Sequence, residues 1–430
     1  MMFNRKVEVI FSKEDVKILD SQSKICNWLY NKLLEISIND YSENNNESTL
    51  LHGRNLRDLV PLLKKEYNFL NTVYSSPLKN VALRLKEAYT RFFDNSNGFP
   101  LYKAWKGNWF SLFYDEPNKG FKFLERNNLQ INLGIDVSSI RLKVIGHLKE
   151  NLSLRKTDKI KNFRLCKQQG ERFYAVFCVE REDVKPKEVK KWISIDPNHK
   201  NLFMAVDNNG ISYEFSKLYQ LKYWDMVIDE IKSKRNICTR KSKKVITKNG
   251  ATYFTPSKRW EYLNRALNRA YNSRREQIKS ACYSIGNWLA KNYDYVAFGD
   301  YTPTIDIAIE TNMHRSMLNQ SVIGTLRDTV KWVMIRSGKT FSLVDEKHTT
   351  SDCSICGYRE DKDPCIREFI CPKCNNSFNR DINSGVNIAK KDKLLSGSDY
   401  VGWILSKPTY TAKWNLTNGK VLLQVAQPSN

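Results

Sequence analysis

The sequence predicts an α/β fold combined with a β-barrel: a small barrel with helices in the first part of the chain, then an α/β domain and a zinc ribbon. Three observations predict it. Two C-x-x-C pairs, Cys353/Cys356 and Cys371/Cys374, stand fourteen residues apart. Two buried apolar strands end in acids, at Asp196 and at Asp300. Short alternating runs fill the stretch from 128 to 180, as half-buried strands do. Each C-x-x-C turns two thiolates toward one ion, and two such knuckles complete a tetrahedron around zinc. Four sulfur ligands leave no open position for water, so one structural zinc is expected, not a catalytic one. Pro372 and Gly357 suit the tight knuckle turns. Cys365 has no partner at knuckle spacing and reads as a free thiol.

Length and charge set the bounds. A chain of 430 residues makes about two to four domains, with ample length for a real core. Lys and Arg number 70 against 46 Asp and Glu, a net charge of +24. A polyanionic partner is the natural reason for that excess; the bland alternative is a solvated basic surface. Cys26, Cys166, Cys178, Cys238 and Cys282 are scattered singly, which fits a reducing compartment and argues against a secreted disulfide scaffold. The first residues, M-M-F-N-R-K-V-E-V-I-F, hold no signal-peptide core. No apolar run is long enough to cross a bilayer. A soluble, intracellular, basic protein is expected.

Taken in order, residues 4 to 11 alternate around Val7, Val9 and Phe11 and predict a strand. Ile18, Leu19, Ile25, Leu29, Leu33 and Leu34 then recur at helical spacing, 40 to 54 is an Asn-rich loop, and helices follow at 56–65 and 77–93. From Gly98 to Gly146 aromatics and lysines interleave, including Lys103, Trp105 and Lys106. Basic, aromatic loops of a barrel can stack on bases and pair with phosphates, though some of these rings must be barrel core. Two more strands lie in 160–180, and 186–191 is a charged linker. The second domain opens with W-I-S-I-D, a turn, a second strand and an Asn-Gly turn at 209–210. Residues 217–292 are long, helical and basic. The helix from Trp260 to Ala290 bears Arg265, Arg269, Arg274, Arg275 and Lys279, a charge density suited to lying along nucleic acid. A buried strand at 295–299, a helix within 316–337 and a strand at 340–344 lead into Asp345 and Glu346. No role is assigned to the tail.

Two acids stand out on these grounds alone. Asp196 ends a buried strand, where a carboxylate has no packing value; it is a metal ligand or a turn residue. That strand–turn–strand pattern also opens RNase H-type nuclease cores. Asp381 comes seven residues after Cys374, in N-R-D-I-N-S-G-V-N-I. Between a knuckle and a helix it suits a second kind of metal, or serves as the helix N-cap. Ser384 and Gly385 are small enough for that helix to pack closely on a sheet.

At this point S-I-D-P, the basic helix, V-A-F-G-D and H-T-T-S-D-C-S-I-C-G…C-P-K-C…N-R-D-I-N-S-G-V-N-I together resemble the transposon-encoded TnpB proteins and their Fanzor relatives. The compact type V CRISPR effectors share these motifs. The resemblance covers most of the chain up to about residue 392, and the ribbon with its trailing R-D-x-N is its most specific part. It implies a first wedge strand at 1–11, a helical recognition insert at 12–97 and an oligonucleotide-binding-type wedge barrel at 98–185. It further implies an RNase H-like RuvC nuclease domain at 186–347 and 379–392, split by the zinc ribbon at 348–378, with the tail at 393–430. The implied activity is RNA-guided cleavage of double-stranded DNA. A noncoding guide RNA pairs with the target, the protein reads a short adjacent motif, and three carboxylates hold two magnesium ions.

One departure stands out. The family's middle acid is commonly a Glu where this chain has Gly299, followed by Asp300. Successive strand side chains point to opposite faces, so Asp300 aims away from the metals that an acid at position 299 would face. Glu346 matches the family's rearranged-glutamate version. The expected set is Asp196, Glu346 and Asp381, with Asp300 in reserve and Asp345 below both. A monomer is favoured, in the cytoplasm or nucleoid if bacterial and in the nucleus if from a eukaryote or its virus. The rival readings are a nuclease-inactive RNA-guided repressor, an RNA-independent transposon nuclease and a zinc-ribbon adaptor.

Overall fold

The structure, a computed structural model, describes residues 1–43, 49–52, 54–103, 110–136, 138–168, 172–198, 200–239, 243–246, 252–301, 322–362, 366–395 and 408–426. The chain divides into two compact units, Met1–Glu182 and Asp183–Asn430. Among the described residues no helix is long and apolar enough to cross a membrane.

The first unit begins with strand β1 (Met2–Ile10) and helices α1 (Lys13–Glu43), α2 (Asn55–Glu66) and α3 (Ser75–Phe93). Strands β2 (Ser111–Tyr114), β3 (Phe121–Leu124), β4 (Asn128–Ile135), β5 (Arg141–Leu148), β6 (Lys159–Lys167) and β7 (Phe173–Glu180) follow. All pair antiparallel in the order β2-β6-β7-β1-β5-β4-β3. Burial along β4 and β7 alternates residue by residue, the mark of a sheet with one face on the core. Here the sequence expectation of a barrel needs correcting. Strands β2 and β3 end the sheet on opposite sides, so it is a strongly curled half-barrel. Rings close what hydrogen bonds do not: Phe121 on β3 meets Phe163 on β6 edge-on at 4.6 Å, and Tyr114 on β2 stacks on the same Phe163 at 5.0 Å. Such aromatic pairs bury much apolar area and favour these geometries. Leu29, Leu33, Leu78 and Leu85 of the helices join this core.

The second unit is built on the sheet β14-β13-β8-β9-β10-β17-β18. Its strands are β8 (Trp192–Pro197), β9 (Phe203–Asp207), β10 (Ser212–Phe215), β13 (Tyr295–Gly299), β14 (Thr340–Val344), β17 (Tyr410–Trp414) and β18 (Val421–Val425). β8, β9 and β10 form an antiparallel meander, and β13 and β14 add in parallel beside β8. Every residue of β8 and β9 is buried, which requires cover on both faces. On one face lie α5 (Lys258–Asn292) and α6 (Ile323–Arg336), whose Cys282, Ile285, Leu326 and Val330 pack on Ile193, Ile195, Phe203 and Phe298. On the other lies α7 (Arg380–Lys391), whose Ile382 and Val386 pack on Met204 and Val206. Gly385 brings α7 close: a Cβ there would sit 3.2 Å from Val206. A helix α4 (Leu221–Thr239) pairs with α5 through Ile228, Leu267 and Ala270.

Two features escaped the sequence. Between α4 and α5, within a stretch read as helical and basic, β11 (Lys243–Ile246) pairs with β12 (Thr252–Thr255). The tail, which had no assigned role, supplies β17 and β18; β17 joins β10 in parallel. Its strand-like pieces are short and mixed with polar residues, and nothing in so brief an alternation says which sheet they join.

Candidate metal centres

The ribbon is a local structure. The cysteine sulfurs of 353, 356, 371 and 374 all lie within 4.8 Å of one another. Cys353 to Cys374 is 3.8 Å and Cys356 to Cys371 is 3.6 Å. A tetrahedral ion with Zn–S bonds of about 2.3 Å sets its sulfurs about 3.8 Å apart, so the four residues fit zinc. The two knuckles have the same backbone. Gly357 N–H donates to Cys353 O at 2.9 Å, and Asn375 N–H donates to Cys371 O at 2.8 Å. Both residues adopt positive φ, +70° and +53°, the region glycine and asparagine tolerate best. Hairpin strands β15 (Glu368–Ile370) and β16 (Ser377–Asn379) back the cluster. Cys365 lies outside the described residues.

The carboxylates are assembled from three separate places. Strand alternation puts Ile193 and Ile195 toward α5 and α6, and Ser194 and Asp196 toward α7. The same rule puts Phe298 on the α5 side and Ala297 with Gly299 on the α7 side. Val344 of β14 also packs on α7, through Ile388, and Glu346 follows it at the same parity. A Cβ on Gly299 would fall 2.0 Å from Glu346 Oε1. The glycine therefore leaves the space that the Glu346 carboxyl fills. Glu346 Oε1 is buried with no hydrogen-bond partner. Asp300, the reserve candidate, takes another position: its Oδ1 accepts the Glu346 N–H at 3.1 Å. It holds the backbone of the residue it was ranked against. Asp345 instead accepts Lys347 N–H in its own turn.

Asp381 sits in the first turn of α7, but the cap is Asn379, whose Oδ1 accepts the N–H groups of Asp381 at 3.0 Å and Ile382 at 3.2 Å. The N-cap alternative for Asp381 is thereby excluded, and its carboxylate is released for other work. In this structure that carboxylate is gripped by Arg367, through both oxygens, and approached by Arg380 at 3.4 Å. Asp196 accepts from Ser384 Oγ at 2.9 Å.

The electrostatics tie the acids together. Burial, and then repulsion from Asp381, raises Asp196 to about 7. Burial, followed by Asp196 and then Asp300, raises Glu346 to about 8. Buried like charges that repel and leave an oxygen unsatisfied have too little positive charge among them. Divalent cations with hard oxygen ligands would supply it, and Asp196, Glu346 and Asp381 are the candidates to hold them, although among the described residues only the four cysteines have ligand atoms all within 4.8 Å of one another.

Sequence reasoning missed the polar latch that fixes this arrangement. Ser354 N–H donates to Asn383 Oδ1 at 2.8 Å, and Asn383 Nδ2 donates to Asp352 O at 2.8 Å. Asn387 Nδ2 reaches Thr349 O and Asp352 O, both at 2.8 Å. Ser384 Oγ also meets Thr349 Oγ1 at 3.0 Å. Asn383 and Ser384 are fully buried. The signal was present: polar residues at 383, 384 and 387 lie on one helix face, where an amphipathic helix packed on a sheet would show apolar ones.

The basic candidates scatter. Arg265, Arg269 and Arg275 are exposed on α5. Arg274 pairs with Asp225 of α4 at 2.7 Å and is spent inside the protein. Lys103 lies in the first unit; Trp105 and Lys106 fall outside the described residues.

With the geometry in place, the comparisons define first a class. The chain shares its fold with compact Cas12 nucleases. It superposes on the cryo-EM structure of a Cas12f1–sgRNA–target DNA complex with a TM-score of 0.59 at 13% identity, over 88% of this chain and 83% of that one. It superposes on the mini-RNA-guided endonuclease CRISPR-Cas_phi3 with a TM-score of 0.50 at 9% identity, over 95% and 93%. More narrowly, residues 324–388 match the Cas12f1-like TNB domain family. The CRISPR-associated DNA-binding protein Cas12m of Allomeiothermus silvanus is 25% identical over 142 residues, 31% of this chain and a quarter of that protein's length.

Proposed function

We infer that the chain is an RNA-guided DNA endonuclease of the TnpB and Fanzor kind. Its second unit acts as a RuvC-type nuclease domain interrupted by a zinc ribbon. The carrying observation is the Glu346 carboxyl, seated in the space over Gly299 beside Asp196 with Oε1 unpartnered. Strand order β10-β9-β8-β13-β14, with an acid at the end of β8 and another after β14, supports an RNase H-like core. A guide RNA and target double-stranded DNA are the partners, in keeping with the +24 charge and with the Cas12f1 complex.

Asp196, Glu346 and Asp381 would hold two magnesium ions, which would supply activation of a water and neutralisation of the leaving oxygen of the phosphodiester. Ser384 orients Asp196, Asp300 holds the Glu346 backbone, and Thr349, Asn383 and Asn387 keep the loop after Glu346 against α7. The ribbon's zinc is structural. It keeps Arg367 and the start of α7 in place.

The test is to purify the protein from its native locus, sequence the RNA that comes with it, and use that RNA to program magnesium-dependent cleavage. Glu346→Ala should abolish cutting. Asp300→Asn, which keeps an oxygen acceptor for the Glu346 N–H, should retain most of it. The reverse ranking makes Asp300 the middle acid and sinks the assignment.

One observation favours a second reading, RNA-guided binding without cleavage. Arg367 grips both oxygens of Asp381, and the matched Cas12m is described as a DNA-binding protein. Tight guided binding with no cleavage by the wild-type complex, at any magnesium concentration, selects it.

A further inference from the structure

The first unit contains a cavity of about 250 Å3 that the metal centres do not explain. Tyr30 of α1, Arg84, Glu87 and Arg91 of α3, and Lys103 line it. We propose that this cavity is a binding site for a single phosphate group of a nucleic-acid strand, received by Arg84 and Lys103.

Its construction supports this. Asn31 of α1 clamps the backbone of Lys103 from both sides: Nδ2 donates to Lys103 O at 2.9 Å, and Oδ1 accepts Lys103 N–H at 2.7 Å. That clamp sets the Lys103 ammonium over the Tyr30 ring, 4.3 Å from its centre, a favourable place for a cation. Arg84 is half-buried beside it. Arg164 of β6 stands near Arg84 and cannot swing away, because it donates to Ser111 Oγ at 2.8 Å and lies over Phe113. Glu87 is engaged by Arg91 at the rim.

The fold thus gathers cations where burial already disfavours them. Burial and then Arg164 lower Arg84 to about 10; burial and then Arg84 lower Lys103 to about 8. Concentrated, partly desolvated positive charge gains most from an anion. A guanidinium pairs two phosphate oxygens at once, and an ammonium adds a point charge. The size matches: at the small end of ligand pockets, the cavity admits a phosphate with part of its sugar. The proposal rests on the nucleic-acid part of the function above and is independent of cleavage.

The experiment uses the full chain with fluorescent mixed-sequence RNA and duplex DNA, titrated separately between about 50 and 200 mM salt. Arg84→Gln and Lys103→Gln should each reduce the slope of log affinity against log salt by roughly one. The double variant should lose no more than either single one, because one phosphate fills the site. The polymer whose slope changes names the source of the phosphate. Circular dichroism of each free variant should match the wild type, so that a changed slope reports the pocket and not misfolding. As a readout in the unaltered protein, that polymer at saturation should slow acetylation of Lys103, followed by mass spectrometry. Unchanged slopes on both polymers while the wild type binds, or acetylation indifferent to both, overturn the pocket alone. A wild type that binds neither polymer overturns the nucleic-acid reading and the pocket together.

Discussion

Two groups of candidate metal ligands share the second unit, and they are built in opposite ways. The four cysteines lie within 22 residues of chain (353–374), on two knuckles with the same backbone turn. The three carboxylates come from Asp196, Glu346 and Asp381, ends of elements that meet only because a sheet and a helix pack. The ribbon is closed: four sulfurs at tetrahedral spacing leave no ligand position over. The carboxylates are only partly satisfied: a Glu346 oxygen has no partner, Asp196 and Glu346 have raised proton affinities, and Arg367 holds Asp381. A site that only stabilises can be local and complete. A site that is to do chemistry must keep an unmet demand, and only rigid surroundings can hold one.

Breaking the carboxylates should have the largest effect. Asp196→Ala, Glu346→Ala and Asp381→Ala should each lower guided cleavage at least about a thousandfold, on the order of 4 kcal/mol of barrier, with RNA affinity unchanged in a filter-binding assay. Parallel loss of RNA binding would make the acids structural. Cys353→Ser should act on the other cluster. Zinc measured by mass spectrometry should fall from one per chain to none, the ribbon should become sensitive to protease, and cleavage should drop because the ribbon carries Arg367 and leads into α7. Full activity without zinc would separate the two clusters.

A subtler change tests how tightly the open site is fitted. Gly299→Ala places a methyl 2.0 Å from Glu346 Oε1 and must push the carboxyl aside. Cleavage should fall about a hundredfold, the scale for a displacement of about 1 Å, with the melting temperature little changed.

The pH dependence sharpens the same contrast. The ordinary values of 3.8 for Asp196 and 4.5 for Glu346 rise to about 7 and about 8 in the folded chain without metal. The folded state then binds more protons than the unfolded state across that window. The contribution of these two groups to stability is therefore full below about pH 4 and is lost as pH rises toward 8. Melting curves should show this decline, and magnesium should reverse it more at pH 8 than at pH 5. Glu346→Gln should remove much of the slope. The smallest effect is expected on α5: Arg265→Gln should reduce the salt slope of nucleic-acid binding by roughly one, whereas Arg274→Gln, which breaks the pair with Asp225, should leave that slope unchanged.

What could be read in advance follows from distance along the chain. The cysteine pairs, the acid-terminated strands, the basic helix and the strand at 340–344 were legible because spacing and period are local properties. The preference for Glu346 over Asp300 came from alternation by two, a local rule, together with the resemblance; in the structure the Glu346 carboxyl lies over Gly299 and Asp300 accepts the Glu346 N–H. Composition and spacing named the candidate residues for metal and nucleic acid and separated two halves that differ in kind. The remaining features came from packing. It left the first sheet a half-barrel sealed by Phe121, Tyr114 and Phe163, and it drew the tail into the second sheet beside β10. It gave the cap of α7 to Asn379 and placed Arg367 on Asp381. It withdrew Arg274 into an ion pair and gathered Arg84, Lys103 and Arg164 from three elements. Each of these depends on packing between segments far apart in sequence, which no local period encodes.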